Sequence, residues 1–281
     1  MSTPVFPSQQ VGDFTITAIS DGYLNASLDF LSNIDATEAA RMQRDAGQTA
    51  PSAVHINCYV VRTAERTVLI DAGAGGIRQW GGRLRENLLL AGIEPASIDT
   101  ILLTHAHPDH VGALVTAAGQ IAFPNAALVA HRREVRFWQD DGNLSRASER
   151  ARGNFQIARQ VFDSYRDRLR TFDDGEVLPG IRAMSLPGHT DGHTGYLVES
   201  RDRSLLVWGD VVHFPHIQIE RPDVSIAFDQ DPTMAATTRS RLLDMVSSEG
   251  VLIAGMHLGE LGFAQIRRTR GDYGLHYVSK V

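Results

Sequence analysis

The spacing of apolar and polar positions changes several times along the chain, and each change predicts a different element. Alternation over residues 14–19 predicts a strand, and Asp21-Gly22 directly after it predicts a turn. Leu84, Leu88 and Leu89 share one side of a predicted helix, whereas residues 30–50 are expected to be helical or irregular. Further strands are predicted over residues 54–62, 67–71, 99–103, 127–130, 181–186, 194–199, 204–209 and 251–254. Further helices are predicted from about residue 109, within 145–171 and over 232–247.

This order of elements mixes strand hairpins with single helices. Such a mixture favours an α+β or sandwich fold over a doubly wound parallel sheet. The chain shows no internal repeat, low-complexity block or Gly/Ser linker. The sequence therefore predicts a single domain over residues 1–281.

Composition narrows the class of protein without changing this architecture. The chain has 281 residues, a net charge of −6 and 43% apolar residues, which is typical of an ordinary globular protein. Cys58 is its single cysteine, which excludes a disulfide scaffold. The mild acidity argues against nucleic-acid binding, and no apolar run approaches the ~18 residues of a membrane span. The N-terminus has no secretory pattern, so a cytoplasmic location is expected.

The densest group of polar residues follows an apolar strand and runs from Thr104 to His110. Neutral imidazole and carboxylate are natural ligands for a divalent metal such as zinc. On an extended segment His105 and His107 point to the same side. Asp109 and His110 lie at the start of the following helix and could face a second ion. The alternative is a histidine-rich surface loop in which Asp109 caps a helix.

Two ligands for each ion leave both coordination shells incomplete, so further ligands are expected downstream. His189, Asp210 and His257 each lie just past apolar strand residues, at the strand ends where loops carry function. Taken one at a time, each is equally well explained as a turn residue or a satisfied core histidine. Together with the first cluster, they favour a metal site.

The order of these motifs resembles that of the metallo-β-lactamase superfamily. His-x-His-x-Asp-His at 105–110 is followed by Gly-His-Thr-x-Gly-His at 188–193, a Gly-Asp strand end at 209–210 and a late histidine, and the resemblance covers residues 11–270. It implies a four-layer αββα sandwich with the metals at one edge. It assigns His105, His107 and His189 to one ion, Asp109, His110 and His257 to the other, and Asp210 as the bridging carboxylate.

Within the superfamily, the Asp109-His110 pair resembles glyoxalase II, the N-acyl homoserine lactonases and methyl parathion hydrolase. Several zinc β-lactamases have a cysteine in the second metal site, which Cys58 in an early strand does not match. Only 24 residues follow His257, and they are not expected to form the C-terminal region of glyoxalase II. The resemblance is strongest to methyl parathion hydrolase, through residues 12–22, 122–126, 178–181 and 229–231.

The resemblance implies chemistry at two divalent ions, with zinc expected first and manganese, cobalt or iron as alternatives. A hydroxide that bridges the ions would open a lactone or carboxylic ester, and Asp109 would carry the proton. Promiscuous phosphotriesterase activity is expected beside it. The alternatives are primary hydrolysis of organophosphate triesters and an iron-dependent oxidoreductase of the same fold. The expected partner is a small-molecule ester, lactone or phosphotriester, and relatives suggest a homodimer.

Supporting residues follow from the same resemblance. Asp71 matches an early aspartate of the superfamily and is expected to accept a hydrogen bond from a ligand imidazole, with a turn cap as the alternative. His193 is expected to order the motif loop without binding metal. His213 occupies the place of a lactonase tyrosine and is either an N–H donor to the developing oxyanion or part of the pocket wall. His55 and His216 are weaker candidates for the pocket mouth.

A helical insert at about 131–171 lies between the ligand groups, where this superfamily usually builds its substrate lid. Its aromatic residues are candidates for an apolar substrate pocket, with ordinary helix packing as the alternative. These residues are Phe137, Trp138, Phe155, Phe162 and Tyr165.

Overall fold

The computed structural model describes residues 6–269 and 272–278. The predicted domain of residues 1–281 and the resemblance over 11–270 therefore include a few positions outside the described residues. Within them the strands are β1 (Ser8–Val11), β2 (Phe14–Asn25), β3 (Leu31–Ser32), β4 (Ala53–Arg62), β5 (Thr67–Ile70), β6 (Thr100–Leu102), β7 (Ala127–His131), β8 (Leu169–Phe172), β9 (Gly175–Leu178), β10 (Ile181–Ser185), β11 (Thr194–Ser200), β12 (Arg203–Val207), β13 (Ser225–Ile226), β14 (Leu252–Ala254), β15 (Phe263–Thr269) and β16 (Asp272–Tyr277).

Eight α-helices are present in the described residues. The longest, over residues 232–249, begins where the Asp231 carboxylate accepts the Met234 N–H and Pro232 occupies the first turn, and it ends at Gly250 in the left-handed conformation. The helices are α1 (Ala36–Asp45), α2 (Leu84–Leu90), α3 (Pro108–Val111), α4 (Arg132–Gln139), α5 (Asp141–Arg146), α6 (Glu149–Ser164), α7 (Pro215–Gln218) and α8 (Pro232–Glu249).

Two seven-stranded sheets form the centre of the fold. The first has the order β1-β2-β4-β5-β6-β7-β8 and the second β16-β15-β14-β12-β11-β10-β9. In each sheet an antiparallel region joins a parallel one, through β5-β6-β7-β8 in the first and β12-β14 in the second. Parallel neighbours end at the same edge of a sheet, so the loops after β5, β6, β12 and β14 lie at two sheet edges where ligands can meet.

Three apolar clusters separate four layers. Ile16, Tyr59 and Val207 belong to the cluster between the two sheets. A second cluster packs residues of the first sheet against α2, α4 and α6, and a third packs the second sheet against α8 through Leu242 and Leu243. This arrangement is the predicted αββα sandwich.

The turn predicted at Asp21-Gly22 is wrong. β2 continues through both residues to Asn25, with a register shift against β4 between Ser20 and Gly22. The Asp21 side chain points to the loop before α2 and accepts hydrogen bonds from its backbone. A β-bulge therefore uses the same Asp-Gly pair that a turn would use.

The predicted helical insert contains α4, α5 and α6, which pack over the first sheet. α6 presents Phe155, Ala158, Val161 and Phe162 at helical spacing to the protein interior. No helix in residues 6–269 and 272–278 is long and apolar enough to cross a membrane.

Candidate metal centre

The candidate ligands come together where strands of both sheets end. His105 and His107 follow β6, and Asp210 follows β12. His257 follows β14, and His189 lies in the loop between β10 and β11. The structure thus brings together side chains that are up to 152 positions apart in the sequence.

Three histidine nitrogens converge in the first cluster. His107 Nδ1 lies 2.9 Å from His105 Nε2 and 2.9 Å from His189 Nε2. All three side chains are buried. These atoms lie close enough to bind one ion together.

The second cluster surrounds the Asp210 carboxylate. Asp210 Oδ2 lies 3.1 Å from His110 Nε2 and 3.1 Å from His257 Nε2. Asp109 Oδ2 lies 3.5 Å from His110 Nε2 and 3.7 Å from His257 Nε2. Asp210 Oδ2 is also 3.6 Å from His189 Nε2, so this oxygen stands between the two clusters.

The outer nitrogens of three rings already have acceptors. His110 Nδ1 donates to Asp71 Oδ2 at 2.7 Å, His189 Nδ1 donates to Asp229 Oδ1 at 2.8 Å, and His257 Nδ1 donates to the backbone oxygen of His55 at 2.7 Å. Neutral imidazole carries one N–H, so each inner Nε2 presents a lone pair. Such second partners are typical of metal-binding histidines.

These lone pairs test whether the residues fit a metal. His110 Nε2 and His257 Nε2 both face the Asp210 carboxylate, which accepts hydrogen bonds and donates none. Asp210 Oδ1 is buried and has no hydrogen-bond partner among the described residues. Acceptors that converge on a buried point require a cation, and imidazole with carboxylate is a donor set for borderline divalent ions. The residues therefore fit a dinuclear metal centre.

Electrostatics without a metal agree with this interpretation. Burial lowers the pKa of His105 and of His107 well below the ordinary value, so both rings are neutral and free to act as ligands. Burial also opposes the charge of His110, but the carboxylates of Asp210 and Asp109 outweigh it and raise the pKa of His110 well above its ordinary value. A proton on His110 then takes the place that a metal ion would fill.

Asp71 has the supporting contacts that the sequence suggested. Its Oδ1 accepts the Thr104 N–H at 2.8 Å, and its Oδ2 accepts the Thr104 hydroxyl at 2.6 Å besides the His110 N–H. Its backbone is left-handed, with φ of 56°. A non-glycine residue keeps this conformation only where its surroundings hold it. Asp71 therefore fixes the start of the ligand segment and the ring of His110.

The other two histidines of interest differ in their contacts. His193 Nδ1 donates to the Leu186 oxygen at 2.9 Å, and its Nε2 accepts the Asp210 backbone N–H at 2.9 Å, so both nitrogens serve the loops. His213 Nε2 lies 3.2 Å from Asp210 Oδ2, and its ring stacks on His257 with centroids 5.3 Å apart. His213 Nδ1 is buried without a partner among the described residues.

A cavity of about 440 Å³ opens onto the candidate ligands. This volume lies in the range of small-molecule sites. Phe137, Trp138 and Phe155 line it, as expected for the insert. Phe162, near the C-terminal end of α6, and Tyr165, just after it, do not line the cavity, because both are buried in the core cluster against the first sheet.

His55 and His216 are absent from the lining of this cavity. Both line a neighbouring cavity of about 320 Å³, which His213 and His257 border from the other side. His213 therefore forms part of the wall between the two spaces. His55 contributes to the candidate metal centre through its backbone oxygen, which accepts the hydrogen bond that orients His257.

Comparison with known proteins agrees with the geometry of the site. The model of the metallo-beta-lactamase superfamily matches residues 52–257. The chain belongs to the metallo-β-lactamase superfamily. Similar curated proteins include YobT of Bacillus subtilis, 30% identical over 156 residues that cover 56% of this chain and 62% of YobT. An N-acyl homoserine lactonase of a Bacillus species is 23% identical over 216 residues, 70% of this chain and 78% of that protein.

Solved structures of the superfamily share the whole fold. The hydrolase AbOPH of the β-lactamase superfamily superposes with a TM-score of 0.93 at 27% identity over the full length of both chains. AidC, a dizinc quorum-quenching lactonase solved with a product, superposes with a TM-score of 0.91 at 23% identity, again over both full chains. As a member of this superfamily with lactonase homologues, the chain is a metal-dependent hydrolase.

Two carboxylates that support the metallo-β-lactamase site were missed in the sequence. Glu134 on α4 is buried, and its oxygens accept from the Ala106 N–H at 2.9 Å, the Trp138 indole at 2.6 Å and the Thr190 hydroxyl at 2.6 Å. It therefore joins the insert to both histidine loops. Its only sequence signal was one acid in an amphipathic helix, which is typical of a solvated face.

Asp229 is the second of these carboxylates. Besides its bond to His189, it accepts the Ile226 N–H at 3.1 Å and lies 3.9 Å from the buried guanidinium of Arg239. The segment 229–231 contributed to the family resemblance but had no role assigned to it. Asp229 orients His189 toward the metal edge.

Proposed function

We propose that this protein opens a lactone or carboxylic ester with a dinuclear metal centre. The observation that carries the proposal is the set of lone pairs of His110, His189 and His257, which converge beside Asp210 at a cavity lined in part by aromatic side chains. Similarity to N-acyl homoserine lactonases supports the lactone. The dizinc content of AidC supports zinc as the native metal.

The ligand assignment carries over from the sequence motifs. We assign His105, His107 and His189 to one ion, Asp109, His110 and His257 to the other, and Asp210 to both. Two such ions, when bound, supply a hydroxide nucleophile near neutral pH and polarise the substrate oxygen. The insert of residues 131–171 would act as the substrate lid of a single domain.

Asp109 and His213 are the candidate catalytic residues. Asp109 lines the cavity with its carboxylate 12% exposed, so one oxygen can carry a proton to the leaving group. His213 lines the same cavity, and burial lowers the pKa of its ring, so the ring is neutral near pH 7. A neutral ring with one N–H can donate to a developing oxyanion.

Relative rates on three substrates test the proposal. Metal-replete protein would be assayed for kcat/KM on a long-chain N-acyl homoserine lactone, an aryl acetate and methyl parathion, each with a chelator control. The proposal predicts dominant, chelator-sensitive turnover of the lactone or the acetate. Dominant turnover of methyl parathion would favour the phosphotriesterase alternative, and turnover that survives chelation would contradict metal-dependent hydrolysis.

His213→Phe tests the role of that ring within the same assay. Loss of an oxyanion donor costs about 10²–10³ in kcat where the donor contributes directly. We expect lactone kcat to fall with metal content unchanged. An unchanged kcat would show that His213 only forms the wall.

A further inference from the structure

Two arginines, Arg78 and Arg150, line the 440 Å³ cavity together with the candidate metal ligands. Neither forms an ion pair with a carboxylate of the described residues. By contrast, two insert arginines outside the cavity lining have carboxylate partners: Arg132 pairs with Asp173 at 3.0 Å and Arg159 with Asp141 at 2.8 Å. Two cations without an ion pair among the described residues thus face a space that Phe137, Trp138 and Phe155 also line.

Both guanidiniums are held by neutral partners. The guanidinium carbon of Arg150 lies 4.7 Å from the ring centre of Phe30 and 4.3 Å from that of Phe228. Arg78 lies 5.2 Å from the ring centre of Trp80 and donates to Asn154. Aromatic faces attract a guanidinium without neutralising it. The charges are therefore positioned and still available to an anion.

The loop that carries Arg78 is fixed at both ends. The buried Asp21 carboxylate accepts the N–H groups of Ala74 at 2.8 Å, Gly82 at 2.9 Å and Leu84 at 2.8 Å. Positioning before binding reduces the entropy cost of recognition. Burial and the nearby charge of Arg78 both lower the pKa of Arg150, which places the two cations within each other's field.

We propose that Arg78 and Arg150 form an anion-recognising subsite, and that the preferred substrate is an ester or lactone whose remote end carries a carboxylate. The guanidinium fork matches a carboxylate with two parallel hydrogen bonds. The scissile carbonyl would lie at the metal edge and the carboxylate at the arginines, with the aromatic walls around the connecting chain. This inference rests on the proposed hydrolase function.

Matched pairs of esters test the subsite. The mono-4-nitrophenyl esters of succinate, adipate and suberate, which carry a free carboxylate, would be assayed on metal-replete protein. Each would be compared with its neutral partner, in which the carboxylate is methylated and the 4-nitrophenyl ester is kept. We expect the best charged ester to exceed its neutral partner in kcat/KM. Arg78→Met and Arg150→Met should each reduce that ratio roughly three- to tenfold, because both guanidiniums are partly exposed. The neutral esters serve as the internal control for folding and metal content.

Arg152→Met is the control variant, because Arg152 is exposed on the same helix and does not line the cavity. Its ratio should equal that of the wild type. The preference should also weaken toward 1 M salt, where the Debye length falls to ~3 Å. A charged-to-neutral ratio that is the same in wild type and in both arginine variants would overturn the subsite.

The experiments distinguish failure of the proposed hydrolase function from failure of the anion subsite. If neither ester were hydrolysed, the proposed reaction would be wrong, and calorimetric binding of the intact esters would still test the subsite. Tighter binding of the charged esters that is lost in the Arg78→Met, Arg150→Met double variant would support it. Equal binding of charged and neutral esters would contradict it.

Discussion

Asp229→Asn tests how the protein holds His189, a candidate metal ligand. Burial opposes the charge of Asp229, but the hydrogen bond from His189, the charges of His189 and His213 and the Ile226 N–H together outweigh it and lower the pKa of Asp229 from 3.8 to about 2. This difference corresponds to roughly 2 kcal/mol of folding free energy at neutral pH. Asparagine has one oxygen, whereas the N–H groups of His189 and Ile226 each require an acceptor.

Two measurements follow from this geometry. In metal-free protein, urea unfolding at pH 7 should show Asp229→Asn less stable by about 2 kcal/mol. Because the folded pKa is depressed, this contribution is present above pH 3.8 and is lost as the pH falls toward 2, so the difference between the proteins should shrink in acid. Chelator competition should show metal affinity reduced about 10–100-fold, since His189 loses the partner that fixes its tautomer.

A matched control lies two residues away. Asp231 is exposed and caps α8, and asparagine caps helices as well as aspartate does, so Asp231→Asn should change neither quantity. The reasoning would be refuted by an Asp229→Asn protein with wild-type metal affinity. A stability difference that stays constant from pH 7 to pH 3 would also refute it.

Two further substitutions probe the backbone near the candidate metal centre. Tyr59→Phe removes a buried hydroxyl that accepts the Gly255 N–H at 3.0 Å, and should lower the unfolding free energy by about 2–3 kcal/mol. Tyr23→Phe, at an exposed tyrosine, is its control, and equal losses of stability in the two variants would contradict this expectation. Gly112→Ala would place a Cβ against the Ala74 backbone oxygen and should cost more than about 2 kcal/mol in denaturant unfolding; wild-type stability would show that the backbone yields there.

The ligand motifs could be found in the sequence because their residues are adjacent or follow apolar strands. His105, His107 and His110 lie within one short segment, and His189 and His257 follow strands whose apolar runs are visible. The two sheets could be inferred in kind, although β1, β8, β9, β15 and β16 were not predicted, since several are short and half exposed.

The supporting residues could not be found in this way. Glu134 contacts loop residues that are 28 and 56 positions away in the sequence. Asp229 contacts His189, which is 40 positions away. Helical spacing in α6 indicated a buried face, but not which residues meet the cavity and which the core. Phe155 meets both, whereas Phe162 packs only inside.

Metal stoichiometry tests the central claim most directly. Metal content per chain would be measured by elemental analysis on purified, metal-replete wild type and on His189→Ala and His257→Ala, together with lactone hydrolysis. The account predicts two ions in the wild type, about one tightly bound ion in each variant, and nearly complete loss of hydrolysis in both. Two tightly bound ions in both variants, with wild-type turnover, would contradict the assignment of these histidines to the two metal sites.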